Sequence, residues 1–245
     1  MPGKYLIAVC DILGFESIVR CNSIESVVDN ALGWFRKALK HSLHGGTFPA
    51  TAPPTRELEN HEHVGVAWFS DTILFYTKHD TDEAVGELLQ AVASLLFETI
   101  IAGLTKVRAG VAYGDVYVDP ENSMYVGIPI VEAYKLEKVQ QWAGAALAES
   151  ACARLRQCGP SGDIARWWVT PWEVPMKDGR APMKTLAVNW NHCVHDLGWR
   201  LRWSEGSDQP PEGAALELPD VYEKFVNTKY FHEMLCDDCK RARKA

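Results

Sequence analysis

Two aspartates stand where carboxylates can do metal chemistry. Asp11 closes the apolar run 5–10, and Asp71 lies in the short junction Ser70-Asp71 between the apolar runs 64–69 and 72–76. Each run reads as a strand, and the second pair as a hairpin. In a strand–helix–strand–strand order the first and third strands are usually neighbours, which brings both carboxylates to one edge of the sheet. Two acceptor-only groups placed together repel unless a cation lies between them. A hard divalent ion, Mg²⁺ or Mn²⁺, suits two carboxylates plus substrate phosphates. A lone aspartate at a turn is more often a cap; the pairing is what points to a metal. Next to Asp11, Ile12-Leu13-Gly14-Phe15-Glu16 is a strand that breaks at glycine into a helix. Such a helix start presents unpaired N–H groups that suit a triphosphate.

The elements that must position these residues follow from periodicity. After Gly14, Ile18, Val19, Val27, Val28, Ala31, Leu32, Phe35 and Leu39 recur at helical spacing, and 45–54 is a loop by composition. Asp82 opens a helix with apolar residues at 85, 88, 89, 92, 95 and 96. A strand is expected over 107–118, a short one over 124–126, and a helix over 130–142. One more helix is expected over 145–155, then strands over 167–174 and 185–190. The order is that of a ferredoxin-like α+β fold, with helices on one face of a mainly antiparallel sheet. The reading divides the chain into 1–192 and an extension, 193–245, that ends in a helix from Pro219 to about Arg243.

Composition narrows the class. The chain has 245 residues, 47% hydrophobic and 23% charged, which excludes disorder as the main state. Its net charge of −7 makes it a poor clamp for long nucleic acid. No apolar run reaches the roughly 18 residues of a membrane span, and no signal-peptide pattern opens the chain. Seven cysteines, an odd number, fit reduced thiols in a cytoplasmic protein. Cys236-x-x-Cys239, with His232 as a third candidate ligand, is a lone pair and reads as free thiols ahead of structural zinc. The nine tryptophans read as core and interface residues.

Three segments then carry a resemblance: Asp11-Ile12-Leu13-Gly14-Phe15, Phe69-Ser70-Asp71, and Val107-Arg108-Ala109-Gly110-Val111-Ala112-Tyr113-Gly114. A fourth, Gly127-Ile128-Pro129-Ile130-Val131-Glu132-Ala133-Tyr134-Lys135, completes it. In this order they resemble the motifs of class III nucleotidyl cyclase domains over most of 4–190. The resemblance implies two divalent ions, Mn²⁺ or Mg²⁺, on Asp11, Asp71 and the Ile12 carbonyl. It implies triphosphate contacts from 12–15 and from Lys177, and a head-to-tail homodimer with shared active sites. The family's ribose-orienting Asn falls on Val131 and its transition-state Arg on Lys135, which keeps the charge without the bidentate fork.

The adenine-reading positions of the family fall on Ala67 and Met124, neither of which can hydrogen-bond a base. Trp68, Met124 and Tyr125 are bulky enough to shrink a pocket toward one ring. This combination resembles the Pycsar pyrimidine cyclases of bacterial anti-phage defence. That implies conversion of UTP to cyclic UMP, a messenger for a separately encoded effector. The alternatives are a cytidylate cyclase acting on CTP and a cyclase-like sensor that binds nucleotide without turnover. A diguanylate-type cyclase is disfavoured, because no Gly-Gly-Asp/Glu-Glu-Phe turn is present.

Overall fold

β1 (Pro2–Leu13) is buried from Leu6 to Ile12 without alternation, as expected of a strand covered on both faces. The computed structural model describes residues 2–44, 61–102, 106–196 and 219–235. After β1 come α1 (Phe15–Cys21), α2 (Ile24–Ser26), a π turn over Val27–Leu32, and α3 (Gly33–His44). β2 (Val64–Phe69), β3 (Thr72–Thr77), α4 (Asp82–Ala102), β4 (Lys106–Asp119), β5 (Met124–Gly127) and α5 (Ile128–Val139) follow. The remainder is β6 (Ala145–Leu147), α6 (Glu149–Gln157), a 3-10 turn at Pro160–Gly162, α7 (Asp163–Trp167), β7 (Val169–Val174), β8 (Met183–Val188), α8 (Asn191–Asp196) and α9 (Pro219–Leu235).

The strands form one sheet in the order β2-β3-β1-β4-β6-β8-β7, with β5 paired to β4. Every pairing is antiparallel except β4 with β6. The β1–β4 ladder runs from Pro2 opposite Tyr117 to Leu13 opposite Lys106, so it fixes what stands beside Asp11. Directly paired residues share a face. Val9, Leu74 and Gly110 therefore point one way, and Cys10, Ile73 and Ala109 the other.

α5 covers the first face. A Cβ on Gly110 would lie 2.1 Å from the Ala133 carbonyl oxygen, so glycine lets the helix lie directly on the strand. α3 covers the second face, where Phe35 meets Trp68 at 5.8 Å between ring centroids, and α4 packs against α3. The expectation of helices on one face is thus corrected. The long apolar run of β1 needed cover on both sides, and α5 supplies the second.

Two element readings change as well. Ala145–Leu147, expected to begin a helix, is a strand parallel to Ala109–Val111, and the helix starts only at Glu149. Completely buried Ala145 and Ala146 have room between β4 and β8 that larger residues would lack. Trp167 ends α7 and is exposed, so the strand begins at Val169.

The described part of the extension is packed into the domain. Phe231 of α9 is fully buried, edge-on to Trp142 and Trp172 at 4.9 Å each. The Thr228 hydroxyl accepts the Ala143 N–H at 2.8 Å, and Asn227 donates to the Gln141 carbonyl at 2.7 Å. His232 is stacked on Trp190, and its Nδ1 lies 2.6 Å from Asn191 Oδ1. His232 is thus packed against the domain. Cys236, Cys239, the loop 45–54, the polar stretch 204–214 and the basic end 240–244 lie outside the described residues. No helix among the described residues is long and apolar enough to cross a membrane.

Candidate active site

Asp11 stands near the end of β1, opposite Thr72 on one side and Arg108 on the other. The β2–β3 turn is set by Ser70, which adopts a left-handed φ of 57°, and the Trp68 indole N–H donates to the Ser70 carbonyl at 2.7 Å. The Asp71 carbonyl then accepts the Ile12 N–H at 3.0 Å. The hairpin tip is thereby tied to the residue after Asp11, so Asp11 and Asp71 stand at the same end of the sheet. Asp11 is 8% exposed, whereas Asp71 is half-buried.

A buried ionic cluster surrounds Asp11. Its Oδ1 accepts from Lys138 Nζ at 3.1 Å, and its Oδ2 lies 3.8 Å from Arg108 Nη2. Arg108 donates through Nε to Glu137 Oε1 at 2.6 Å, reaches the same oxygen through Nη2, and donates through Nη1 to the Gln140 carbonyl at 3.0 Å. Gln140 bridges the strand and helix through the Ala109 and Leu136 carbonyls, and its Oε1 accepts the Trp142 indole N–H at 2.7 Å. Glu137 is completely buried; burial pushes its carboxyl pKa up, and Arg108 opposes that shift. Burial alone would lower the Lys138 pKa, but the hydrogen bond to Asp11 and the charges of Glu137 and Asp11 raise it.

These two acids and two bases balance. The Lys138 ammonium is the counter-cation of Asp11, at the carboxylate the resemblance assigns to metal. The donor set of Asp11, Asp71 and the Ile12 carbonyl is all oxygen, which fits Mg²⁺ or Mn²⁺. The Lys138 side chain is 41% exposed, whereas that of Glu137 is fully buried.

Gly14 has φ 77° and ψ 13°, caps α1 without a side-chain hydrogen bond, and has no atom within 4 Å of where a Cβ would stand. Glycine is required there by conformation and not by space. Leu13 ends β1 and Phe15 begins α1, so 12–15 is the strand-to-helix turn beside Asp11.

The residues expected to face the nucleotide are less gathered. Ala67 shares the α5 face with Asp11, but Trp68 alternates to the opposite face, against Phe35 and under the Arg36 guanidinium. Met124 is exposed at the start of β5, while Tyr125 packs on Tyr76 at 5.7 Å. The pleat thus puts Trp68 on the face opposite Ala67. The Lys177 N–H donates to the Val139 carbonyl at 2.8 Å, which brings its backbone to the end of α5 beside Lys138. Lys135 and Val131 are exposed on α5.

Sequence reasoning passed over Arg108, Glu137 and Lys138 as site residues. The available signal was spacing: Lys135-x-x-Lys138 puts two cations on neighbouring turns of one helix. Arg108 was visible in its motif, but its partner Glu137 lies 29 residues away and only packing joins them.

Neither a protein-family model nor a curated protein sequence matches the chain. Solved structures do. A bacterial light-regulated adenylyl cyclase is similar over 98% of this chain and 57% of its own, with a TM-score of 0.52 at 12% identity. The guanylate cyclase domain of RhGC from Catenaria anguillulae, in complex with GTP, covers 77% of this chain and 98% of its own, at 14% identity and a TM-score of 0.49. At these identities the likeness is one of fold. The chain has an α+β fold of the kind seen in nucleotidyl cyclases.

Proposed function

We propose that the protein is a nucleotidyl cyclase that converts UTP to 3′,5′-cyclic UMP and pyrophosphate. The observation that carries this reading is the junction of Asp11 and Asp71, closed by the Ile12 N–H on the Asp71 carbonyl. It supports a site where Asp11, Asp71 and the Ile12 carbonyl hold two divalent ions, Mn²⁺ or Mg²⁺. Such ions would acidify the ribose 3′-hydroxyl and neutralise the leaving pyrophosphate. The 3′-oxygen attacks the α-phosphorus, the bond to the β-phosphate oxygen breaks, and the hydroxyl proton passes to water. The turn at 12–15 and Lys177 orient the triphosphate, and Lys135 of a second copy faces the charge that develops. An exposed apolar row, Val126, Ile128, Val131 and Tyr134, supports a homodimer of shared sites. We take 1–192 as the cyclase domain and 193–245 as an extension whose helix buttresses it, in a cytoplasmic enzyme whose product reaches a separate anti-phage effector.

The second reading, a sensor that binds nucleotide without turnover, is favoured by one observation: Lys138 already neutralises Asp11. Pyrophosphate release from ATP, GTP, CTP and UTP with Mn²⁺, beside an Asp71→Ala control, separates the two. The expected outcome is release from UTP alone, lost in the control. Release from CTP would change only the pyrimidine, because the Watson–Crick edges of uracil and cytosine differ in one donor and acceptor pair. Release from ATP would overturn the base assignment, and binding without release would establish the sensor.

A further inference from the structure

At the other end of the β2–β3 hairpin, His63 stands just before β2 and Glu83 and Glu87 lie one turn apart at the start of α4. We propose that these three residues form a second metal site, for a divalent ion of the zinc class. One ligand atom from each lies within 4.8 Å of the others. His63 Nε2 is 3.9 Å from Glu83 Oε1 and 3.9 Å from Glu87 Oε1, too far for a hydrogen bond. A tetrahedral ion with bonds of about 2.0–2.1 Å needs its ligands roughly 3.3 Å apart, so small side-chain movements close the site.

The groups around it argue for a cation. Glu83 and Glu87 are like charges four residues apart, a destabilising pair on a bare helix. His63 is mostly buried, and its Nδ1 has no hydrogen-bond partner among the described residues. The ring thus lacks any hydrogen bond there that would explain its position.

His61 has a different part. Its Nδ1 accepts the N–H groups of His63 at 3.3 Å and Val64 at 3.1 Å, so its proton sits on Nε2, 3.5 Å from Glu87 Oε2. It therefore orients the Glu87 carboxylate and is not itself a ligand. Lys78 donates to the His61 carbonyl at 2.7 Å, and the His79 ring stands edge-on to His63 at 6.4 Å. The imidazole ligand favours zinc-class ions over Mg²⁺. Three protein ligands leave one position for water, and the missing acceptor behind His63 Nδ1 makes the site weaker than a closed structural zinc site. A bound ion would tie the start of edge strand β2 to α4, about 20 Å along the hairpin from Asp71.

The test titrates Zn²⁺ into the full chain carrying Cys236→Ser and Cys239→Ser, in excess Mg²⁺ to fill all-oxygen sites, by calorimetry and thermal unfolding. One Zn²⁺ is expected to bind and to raise the unfolding midpoint. Adding His63→Gln, or separately Glu87→Gln, should weaken binding by roughly tenfold or more and remove the rise. The metal-free midpoint and circular dichroism of each variant establish that it is folded. Co²⁺ in the unmodified chain should give visible bands without thiolate charge-transfer absorption from this site. Zn²⁺ binding of unchanged affinity in both folded variants would overturn the proposal, as would no binding at all to the parent.

Discussion

The two ends of the β2–β3 hairpin place carboxylates in opposite circumstances. At the turn, Asp11 is buried and already balanced by Lys138 and Arg108, and a backbone hydrogen bond locks Asp71 to the neighbouring strand. At the open end, Glu83 and Glu87 face a histidine across 3.9 Å, with no lysine or arginine among the described residues ion-paired to them. A resident ammonium balances the charge of the first site. The second has geometry set by helix spacing and the strand start, and retains its repulsion. The ligand types of the two ends are alike in carrying carboxylates; what differs is whether a lysine or arginine stands beside them.

The largest effect that would sharpen this contrast is on turnover. Asp71→Ala is expected to cut cyclic nucleotide formation by about two to three orders of magnitude, with the unfolding midpoint little changed because Asp71 is half-buried at a turn. Product near the parental level with Mn²⁺ would break the metal assignment. Asp11 is less clean, since the structure makes it a partner of Arg108 and Lys138, and its loss should lower stability as well as activity.

Next in size is the cluster itself. Arg108→Met would leave Glu137 buried without its partner, at a cost of about 3–5 kcal/mol, read by denaturant unfolding. A cost below about 1 kcal/mol would mean the quartet is not what joins α5 to β1 and β4. Mixing Asp71→Ala with Lys135→Ala protein should restore one composite site per mixed dimer. Absence of rescue, with subunit exchange demonstrated, would remove either the shared site or Lys135 from it.

The smallest effect concerns an ion pair at the start of α4, next to the open end of the hairpin. Arg154 donates to Asp80 and Asp82 at 2.9 Å each, and its hydrogen bond to Asp82, with the Gly159 N–H, holds the Asp82 carboxyl down to about 2. A carboxyl whose pKa is lower in the folded state contributes stability above its ordinary value near 3.8, and that contribution disappears as pH falls toward about 2. Arg154→Gln should therefore move acid unfolding to higher pH, read by circular dichroism across an acid titration. An unmoved acid transition would show that Asp82 is held by the Gly159 N–H instead.

How much was legible beforehand differs by residue. Asp11, Gly14 and Asp71 could be read because each sits at an abrupt change of pattern, where an apolar run ends at a charge or a glycine. β2, β3 and α4 were readable for the same reason, and the β1–β3 neighbourhood followed from strand order. The short strand Ala145–Leu147 was not, because three small apolar residues carry no period and only pairing with β4 makes them a strand. Ala67 and Trp68 were read together as neighbours in sequence, but the pleat sends adjacent side chains to opposite faces. Arg108 with Glu137, Lys138 with Asp11 and His63 with Glu83 and Glu87 are joined over 29, 127 and 20 to 24 residues of chain. The sequence by itself determined the residue types, the element order and the strand-end carboxylates, which are local properties of spacing and hydropathy. Tertiary structure alone decided which charges neutralise which, because ion pairing depends on distance and burial, and these are set only when α5 and α4 settle on opposite faces of the sheet.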